Sequence, residues 1–516
     1  MPYMRKAFPQ THPDRLAALA RLFGVASPDV ETCRVLELGC ACGDNLIPMA
    51  LSLPNARFVG LDYSQRQIEE GQRNVAALGL SNIELRHADI ADVDASCGSF
   101  DYIVAHGVYS WVPAPIREKV LAICKDNLAP SGIAFVSYNT FPGWQQKLMV
   151  RETMMYHSAP IAGAANKVAQ SRALLDFLAQ NVPADTPYGA VLRQEVALTR
   201  NEDDAYLFHD HLEEVNHPVY FHEFAQAAQE HGLQYVAETD FGSMLLSNLP
   251  RPIAAALKQV ADDVVRLEQN IDFFLCRAFR QTLLAHRDTP MRRKLEAQSM
   301  RAFHFASVAR PASTSSSYAP GVAETFAAPG GAALTTGNAI TKAALATLAE
   351  RWPLAVPFAE LADAARDRLA RAAGATSDAA TLAKEVEQLS LDLLRAYAAN
   401  VVELRVRSPR LATTASARPI ASPLARLQAA QGRAITNLRH EPASLDDSNR
   451  RILCLLDGTR DRDALVATME QLVREGVLQI VHEGRPLATG PRLPQILRSG
   501  LDESLKQFAR AGLLIA

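Results

Sequence analysis

Five short apolar or β-branched runs, each followed by a helical stretch, organise the first 140 residues: 34–38, 57–62, 82–87, 100–106 and 132–138. Runs as uniformly apolar as Ile133-Ala134-Phe135-Val136 suit strands buried on both faces, which a parallel sheet covered by helices on each side provides. Residues 65–78 and 115–128 supply crossover helices. The expected fold is α/β, a doubly wound Rossmann-like sheet. Its ligand should sit beyond the carboxyl ends of the strands, where strand order reverses.

The first strand-to-helix turn reads Val35-Leu36-Glu37-Leu38-Gly39-Cys40-Ala41-Cys42-Gly43-Asp44-Asn45-Leu46. A dinucleotide fingerprint starting at Gly39 needs glycine where Ala41 and Asp44 stand, and Asp44 would oppose a pyrophosphate at the helix start. A Walker A loop is excluded because no G-K-[ST] follows. An acidic residue ahead of a tight glycine turn and a polar helix cap suit a ligand with a sulfonium, an amino acid moiety and an adenosine. That ligand is S-adenosylmethionine.

On this reading Gly39 and Gly43 let the main chain approach the ligand, and Glu37 faces its ammonium or orders the loop. Asp44 or Asn45 caps the next helix, with Pro48 in its first turn. Asp62, 23 residues after Gly39, is placed to accept from both ribose hydroxyls, with Tyr63 beside it. Asp89 accepts from the adenine amino group while Ile90 packs on the ring. His106 forms the pocket floor next to Gly107, and Cys40 is a small turn residue whose main chain touches the cofactor.

Several stretches carry a narrower likeness: Thr11-His12-Pro13, residues 35–40, Phe100-Asp101-Tyr102, residues 106–113, Ser137-Tyr138-Asn139-Thr140-Phe141-Pro142-Gly143-Trp144, and Asn216-His217-Pro218 running to Phe224. Together they resemble the class I methyltransferases, and more specifically a bacterial family with a methyltransferase regulatory domain that includes rickettsial-type protein-lysine methyltransferases. The resemblance covers residues 1–300 well and the remainder loosely. It implies a protein lysine as methyl acceptor.

In-line methyl transfer asks the protein mainly to position groups and exclude water. A lysine acceptor must also lose its proton, helped by burial in an aromatic channel. Tyr138 and Asn139 are the candidate catalytic residues; Tyr109, Trp111 and Trp144 are candidates for the channel, or else pack a lid onto the sheet. Residues 145–215 read as that lid, a mostly helical insertion. A helix over 222–232 and strands over 233–239 and 280–286 should complete the sheet with an antiparallel edge pair.

Other chemistries are disfavoured. The Asn/Asp-Pro-Pro-aromatic signature of DNA amine methylation is absent where His106-Gly107-Val108-Tyr109 stands. His209, Asp210, His211, Glu213, Glu214, His217 and His222 are metal-capable by composition, but His209 and His211 lie two apart, wrong for one helix face, so no metal is expected. Seven scattered cysteines suit reduced thiols, and the N-terminus lacks the apolar run of a secretory signal, so a cytoplasmic location follows. No run approaches the roughly 20 apolar residues that span a bilayer.

The expected division is a methyltransferase core over 1–144, the lid over 145–215, completion of the sheet over 216–290, a linker and hairpin over 291–340, a winged-helix-like unit over 341–410, a linker over 411–444 and a second such unit over 445–516. Gly330-Gly331 marks the hairpin, and Ser313 to Ser317 interrupts the pattern. A terminal strand is expected at 512–515. Fifty-three Lys plus Arg against 56 Asp plus Glu give a net charge of -3, and residues 445–516 hold ten of each sign. No nucleic-acid partner is expected. The C-terminal units then serve substrate-protein docking or pairing in a homodimer. A small-molecule N- or O-methyltransferase and a non-catalytic interaction module are the alternative functions.

Overall fold

Alternation along each strand sorts the central sheet into two faces, and that sorting decides which residues can meet a ligand. The computed structural model describes residues 5–200, 202–313, 318–319, 321–373, 379–479, 481–482, 485–486 and 492–515. After α1 (Pro13–Leu22) come β1 (Arg34–Leu38), α2 (Leu46–Ser52), β2 (Arg57–Asp62), α3 (Gln65–Ala77), β3 (Ile83–His87), β4 (Phe100–Ala105), α4 (Ala114–Asp126) and β5 (Leu128–Asn139). The insertion is four helices, α5 (Trp144–Ser158), α6 (Ala164–Asn181), α7 (Pro187–Thr199) and α8 (Asp204–His211), around their own core of Val150, Met154, Leu175, Leu192 and Leu207. Then α9 (Phe221–Glu230), β6 (Leu233–Glu238), α10 (Arg251–Val260), α11 (Val264–Leu275) and β7 (Phe279–His286) return to the sheet.

Sheet order is β3-β2-β1-β4-β5-β7-β6, with β7 antiparallel to both neighbours. The edge pair expected from 233–239 and 280–286 is therefore present, and strand order reverses between β1 and β4. Val35, Tyr102, Val104, Ile133 and Phe135 face one core, packed by α1. Leu36, Leu38, Ile103, Ala105, Val136 and Tyr138 face the other, with Val120, Leu121 and Phe224 of α4 and α9.

The C-terminal half differs from the expected division in how its parts are joined. Strands β8 (His304–Ala306), β9 (Arg310–Pro311), β10 (Glu324–Ala327) and β11 (Ala333–Thr336) precede α12 (Ala339–Arg351), β12 (Val356–Pro357), α13 (Phe358–Ala373), α14 (Ala379–Ala398) and β13 (Glu403–Arg405). The hairpin pairs Phe326 with Leu334 across Gly330-Gly331. Yet 291–340 is no linker: Met300, Phe303, Phe305 and Phe326 are buried in the α1-side core, and Leu345, Leu361 and Leu393 continue it. Of the expected Ser313–Ser317 break, 314–317 lie outside the described residues.

The last part comprises α15 (Pro423–Ala430), β14 (Ile435–Thr436), β15 (Pro442–Ala443), α16 (Asp447–Leu455), α17 (Arg462–Arg474), β16 (Val481–His482), β17 (Arg485–Pro486) and α18 (Leu493–Arg510). Residues 411–444, expected as a linker, instead supply Ala421, Ala425 and Ile435 to one core with Ile452, Leu465, Leu497 and Phe508. Small alanines disguised that helix, because they bury little area each but admit close packing. The expected terminal strand reduces to a single bridge between Ala421 and Leu514.

A partly buried ionic joint ties this half to α1. Arg405 reaches Asp14 at 3.1 Å, Arg15 reaches Glu441 at 2.7 Å and Glu403 at 3.1 Å, and Arg439 bridges Glu403 at 2.6 Å and Glu441 at 3.1 Å. Arg439 also lies 4.0 Å over the Trp352 ring. Three guanidiniums meet three carboxylates. Burial alone would raise the Glu403 carboxyl, but Arg439, Arg15 and Arg405 outweigh it and hold it well below the usual carboxylate range.

Candidate active site

At the carboxyl end of β1, Glu37 turns into the α1-side face and is 4% exposed. Its Oε1 accepts from Asn45 Nδ2 at 2.7 Å, while Oε2 is buried without a hydrogen-bond partner in the described protein. Burial pushes this carboxyl up to about 8; the Asn45 contact opposes that, and Asp62 and Asp44 add to it. Asn45 occupies the N-cap position of α2 but makes no capping bond. Its Oδ1 accepts instead from Phe8 N at 2.9 Å and from His440 Nε2 at 2.9 Å, and its Nδ2 also donates to Thr11 Oγ1 at 3.0 Å. Helix capping is thus not the task of Asn45; ordering Glu37 is.

The glycine turn is held by β2. Gly39 and Cys40 amides both donate to Leu61 O, at 2.8 and 3.0 Å. Gly39 has φ +71°, and a Cβ there would stand 2.6 Å from Val108 Cγ2, so any side chain would be strained and would push Val108 aside. Cys40 points its Sγ into the core beside Gly60 and gives its N–H to Leu61 O, so neither its thiol nor its N–H is free for a ligand and only the rest of its main chain can meet one. Gly43 likewise serves packing: a Cβ there would press on Leu85. Asp62 accepts from Ala41 N at Oδ2 and Ser64 N at Oδ1, both 2.8 Å, which fixes its carboxylate plane at the end of β2. Each oxygen keeps a lone pair for another donor.

After β3, Asp89 caps a short helical turn by accepting from Ala91 N at 2.9 Å, and Ile90 packs against the α4-side core. Tyr63 stands out at the rim, 75% exposed, its ring 6.2 Å from that of His87. His106 follows β4 and sits edge-on to Phe8 at 4.0 Å, with Phe135 at 5.7 Å and Phe279 at 6.3 Å. Burial, with Lys6 adding to it, lowers its imidazole to about 3, so the ring is neutral, and its Nδ1 is buried and unpartnered. Gly107 donates to Ser137 Oγ at 2.9 Å and has open space on its Cβ side. Asn139, at the end of β5, is 2% exposed; its N–H donates to Ser110 Oγ at 2.9 Å and its side-chain Nδ2 is buried without a partner.

Two expected site residues face the wrong way. Tyr138 stacks on Phe224 at 4.1 Å and donates its hydroxyl to Thr282 Oγ1 at 3.1 Å, in the α4-side core. Thr282 already gives its own hydroxyl proton to Glu238. Tyr138 is therefore no catalytic residue, because strand alternation turns it away from Asn139 and Glu37. Tyr109 meets Tyr138 and Phe224 edge-on in the same core and lines no channel.

Trp111 and Trp144 meet edge to face at 6.3 Å; Trp144 Nε1 donates to Asn216 Oδ1 at 2.9 Å, and Lys147 Nζ lies 4.9 Å over the Trp144 ring. Lys147 is held by Asp210 at 2.9 Å. This pair braces the insertion on the sheet, and the Trp144 face is taken by the chain's own lysine. Within the metal-capable cluster, three histidines are separately engaged: His209 with Glu213, His211 with buried Glu195, His222 with Gln269. Among the described residues no group of three or more His, Cys, Asp or Glu is arranged to hold a metal, and no helix is long and apolar enough to cross a membrane.

Sequence reading missed Thr11, Ser110, Ser137 and His440. Thr11 lay in a stretch singled out but not placed, and alternation from Asn139 would have found Ser137. Nothing local points to His440, 395 residues from Asn45.

Comparisons with known proteins agree with this geometry. Residues 29–183 match a methyltransferase domain, 203–286 a predicted methyltransferase regulatory domain, and 417–513 the C-terminal winged helix domain of PKMT. The Rickettsia prowazekii protein RP789 is 35% identical over 100% of this chain and 93% of its own length. The structure of PKMT2 from Rickettsia typhi in complex with AdoHcy superposes with a TM-score of 0.89 at 32% identity, covering 100% of both chains. The chain belongs to the rickettsial-type PKMT family of class I S-adenosylmethionine-dependent methyltransferases. A second R. prowazekii protein, RP028, is 40% identical over 45% of this chain and 92% of its own length. Family membership makes this chain a methyltransferase with S-adenosylmethionine as its cofactor.

Proposed function

We propose that this PKMT-family enzyme methylates the side-chain amine of a protein lysine. The observation that carries the reading is a set of three buried polar atoms without protein partners, Glu37 Oε2, His106 Nδ1 and Asn139 Nδ2, at the carboxyl ends of β1, β4 and β5 on one face of the sheet. Buried polar groups are ordinarily satisfied, so three such atoms together point to ligand groups. Bound S-adenosylmethionine supplies the methyl group on a sulfonium that leaves as a thioether.

Glu37 is the residue for the cofactor ammonium, Asp62 for the ribose hydroxyls, and Asp89 with Ile90 for the adenine. Neutral His106 can accept a hydrogen bond but, lowered to about 3, is a weak base. Asn139 can orient an amine without carrying charge, which leaves the amine free to lose its proton to water before burial. A macromolecular acceptor is supported by exposed Phe279 beside His106, with exposed Phe273, Phe274 and Leu275 on the end of α11 that leads to it, and by the PKMT designation of the R. typhi relative.

The test is incubation with methyl-labelled S-adenosylmethionine and a bacterial cell extract, with Asp62→Ala as control. Label on lysine in the protein fraction, absent with the variant, is expected. Label confined to small molecules would replace the lysine reading with a small-molecule acceptor. Unchanged S-adenosylmethionine affinity in Asp62→Ala would remove the ribose assignment.

A further inference from the structure

The hairpin β14–β15 of the C-terminal domain carries a tip, residues 437–441, that projects onto the glycine-turn region. The tip is built to be rigid: Asn437 Oδ1 accepts from the amides of Arg439 and Glu441, both 2.9 Å, and Leu438 N donates to Gly512 O at 2.9 Å. Arg439 anchors it in the ionic joint. His440 is thereby held at φ +65°, a left-handed backbone state uncommon outside glycine, and the residue is 3% exposed.

The hydrogen-bond roles at Asn45 admit one assignment. Phe8 N–H can only donate, so the atom it meets is the Asn45 oxygen, and His440 must donate to the same oxygen from Nε2–H. The amide nitrogen then faces Glu37 Oε1. His440 Nδ1 is bare and buried. The ring 5.3 Å away is His12, whose Nδ1 accepts from Asp14 N, so it gives His440 no competing bond.

We propose that His440 is a positioning residue for S-adenosylmethionine: by fixing the Asn45 amide it holds Glu37 through Oε1 and keeps Oε2 turned to the ligand's ammonium. The C-terminal domain is then part of the cofactor site and not only a docking module. The inference rests on the placement of Glu37 opposite the ammonium proposed above.

The experiment measures binding of two ligands to the full chain by calorimetry: S-adenosylmethionine, and 5′-methylthioadenosine, which lacks the amino acid part. His440→Phe keeps a ring and removes the donor. His440→Asn suits the positive φ but is too short to reach Asn45, and His440→Gln restores a donor at similar reach. Both variants that cannot donate to Asn45 should weaken S-adenosylmethionine about tenfold and leave 5′-methylthioadenosine unchanged, as loss of one hydrogen bond in a charged chain implies. His440→Gln should recover to within about threefold, and Asn45→Ala with His440→Phe should bind no worse than Asn45→Ala alone.

Wild-type affinity in both His440→Phe and His440→Asn overturns the proposal. So does equal weakening of both ligands, which marks a general loosening, or failure of His440→Gln to recover. Glu37→Gln separates the underlying reading: if it binds S-adenosylmethionine as the wild type does, the Glu37 assignment fails and the relay with it; if it loses affinity while the His440 variants do not, the relay alone fails.

Discussion

Arg405 and Asp14, 391 residues apart in the chain, meet at 3.1 Å with each side chain 2% exposed. Asp14 also accepts from the amide of Val406 at 2.8 Å, so α1 is fastened to β13 by both a charge and the main chain. Removing one member of such a buried pair leaves the other uncompensated in low dielectric. Arg405→Met should therefore destabilise the protein by about 3–5 kcal/mol, read as a fall in the urea midpoint. A change below about 1 kcal/mol would show that water already screens the joint.

The same joint sets an acid limit. Glu403 is held below the range of a free glutamate, near 4.3, by Arg439, Arg15 and Arg405 acting against its burial. A depressed folded value means the contribution is complete above the unfolded value and is lost as pH falls through the folded one. The stability difference between wild type and Glu403→Gln should thus be constant from pH 7 to about 5 and shrink progressively below about 4. A difference that stays constant to pH 3 would contradict this.

Tyr138→Phe should leave the methylation rate and S-adenosylmethionine affinity within about twofold while costing about 0.5–1.5 kcal/mol of stability, because it removes one buried hydrogen bond to Thr282. A large loss of rate with unchanged stability would return Tyr138 to the active site.

Asn139→Ala should show the reverse. Its amide is buried at the strand end with Nδ2 unpaired, and its loss removes orientation of the acceptor but no bond inside the protein. A fall in kcat of about 100-fold with cofactor affinity unchanged is expected from single-turnover and binding measurements together. Equal loss in cofactor binding would place Asn139 on the cofactor instead.

The contrast between these neighbours shows how far the sequence could be read. Order and spacing identified the strand ends, and with them Glu37, Asp62, Asp89, His106 and Asn139, because ligand chemistry in a doubly wound sheet is confined there. Facing was legible too: Tyr138 and Asn139 cannot share a face of one strand, and treating both as catalytic ignored that period of two. Asn45 shows a different limit. A polar residue before a helix reads as a cap from local sequence, and only the tertiary arrival of Phe8 and His440 turns its amide towards Glu37. The ionic joint was beyond reach for the same reason, since its partners come from α1, β13 and the 437–441 tip.

Glu37 makes the cofactor site pH-dependent in a definite direction. With its carboxyl raised to about 8 by burial, Glu37 is mostly protonated in the free protein at neutral pH. An ammonium beside it favours the ionised form, so binding must release a proton, and each unit of pH below about 8 should weaken S-adenosylmethionine roughly tenfold. Above that, the ligand's own amine, with an ordinary value near 7.7–8.0, begins to lose its charge, so affinity should peak near pH 8. Glu37→Gln should bind more weakly at the peak and lose the slope between pH 6 and 7.5. Calorimetry in two buffers of different ionisation heat would count protons directly: Glu37, titrating near 8, should give up most of one proton per cofactor at pH 7 in wild type, less the small uptake by the ligand's partly unprotonated amine, and none should come from this position in the variant. Identical slopes in both proteins would mean that Glu37 orders the glycine turn without meeting the ammonium.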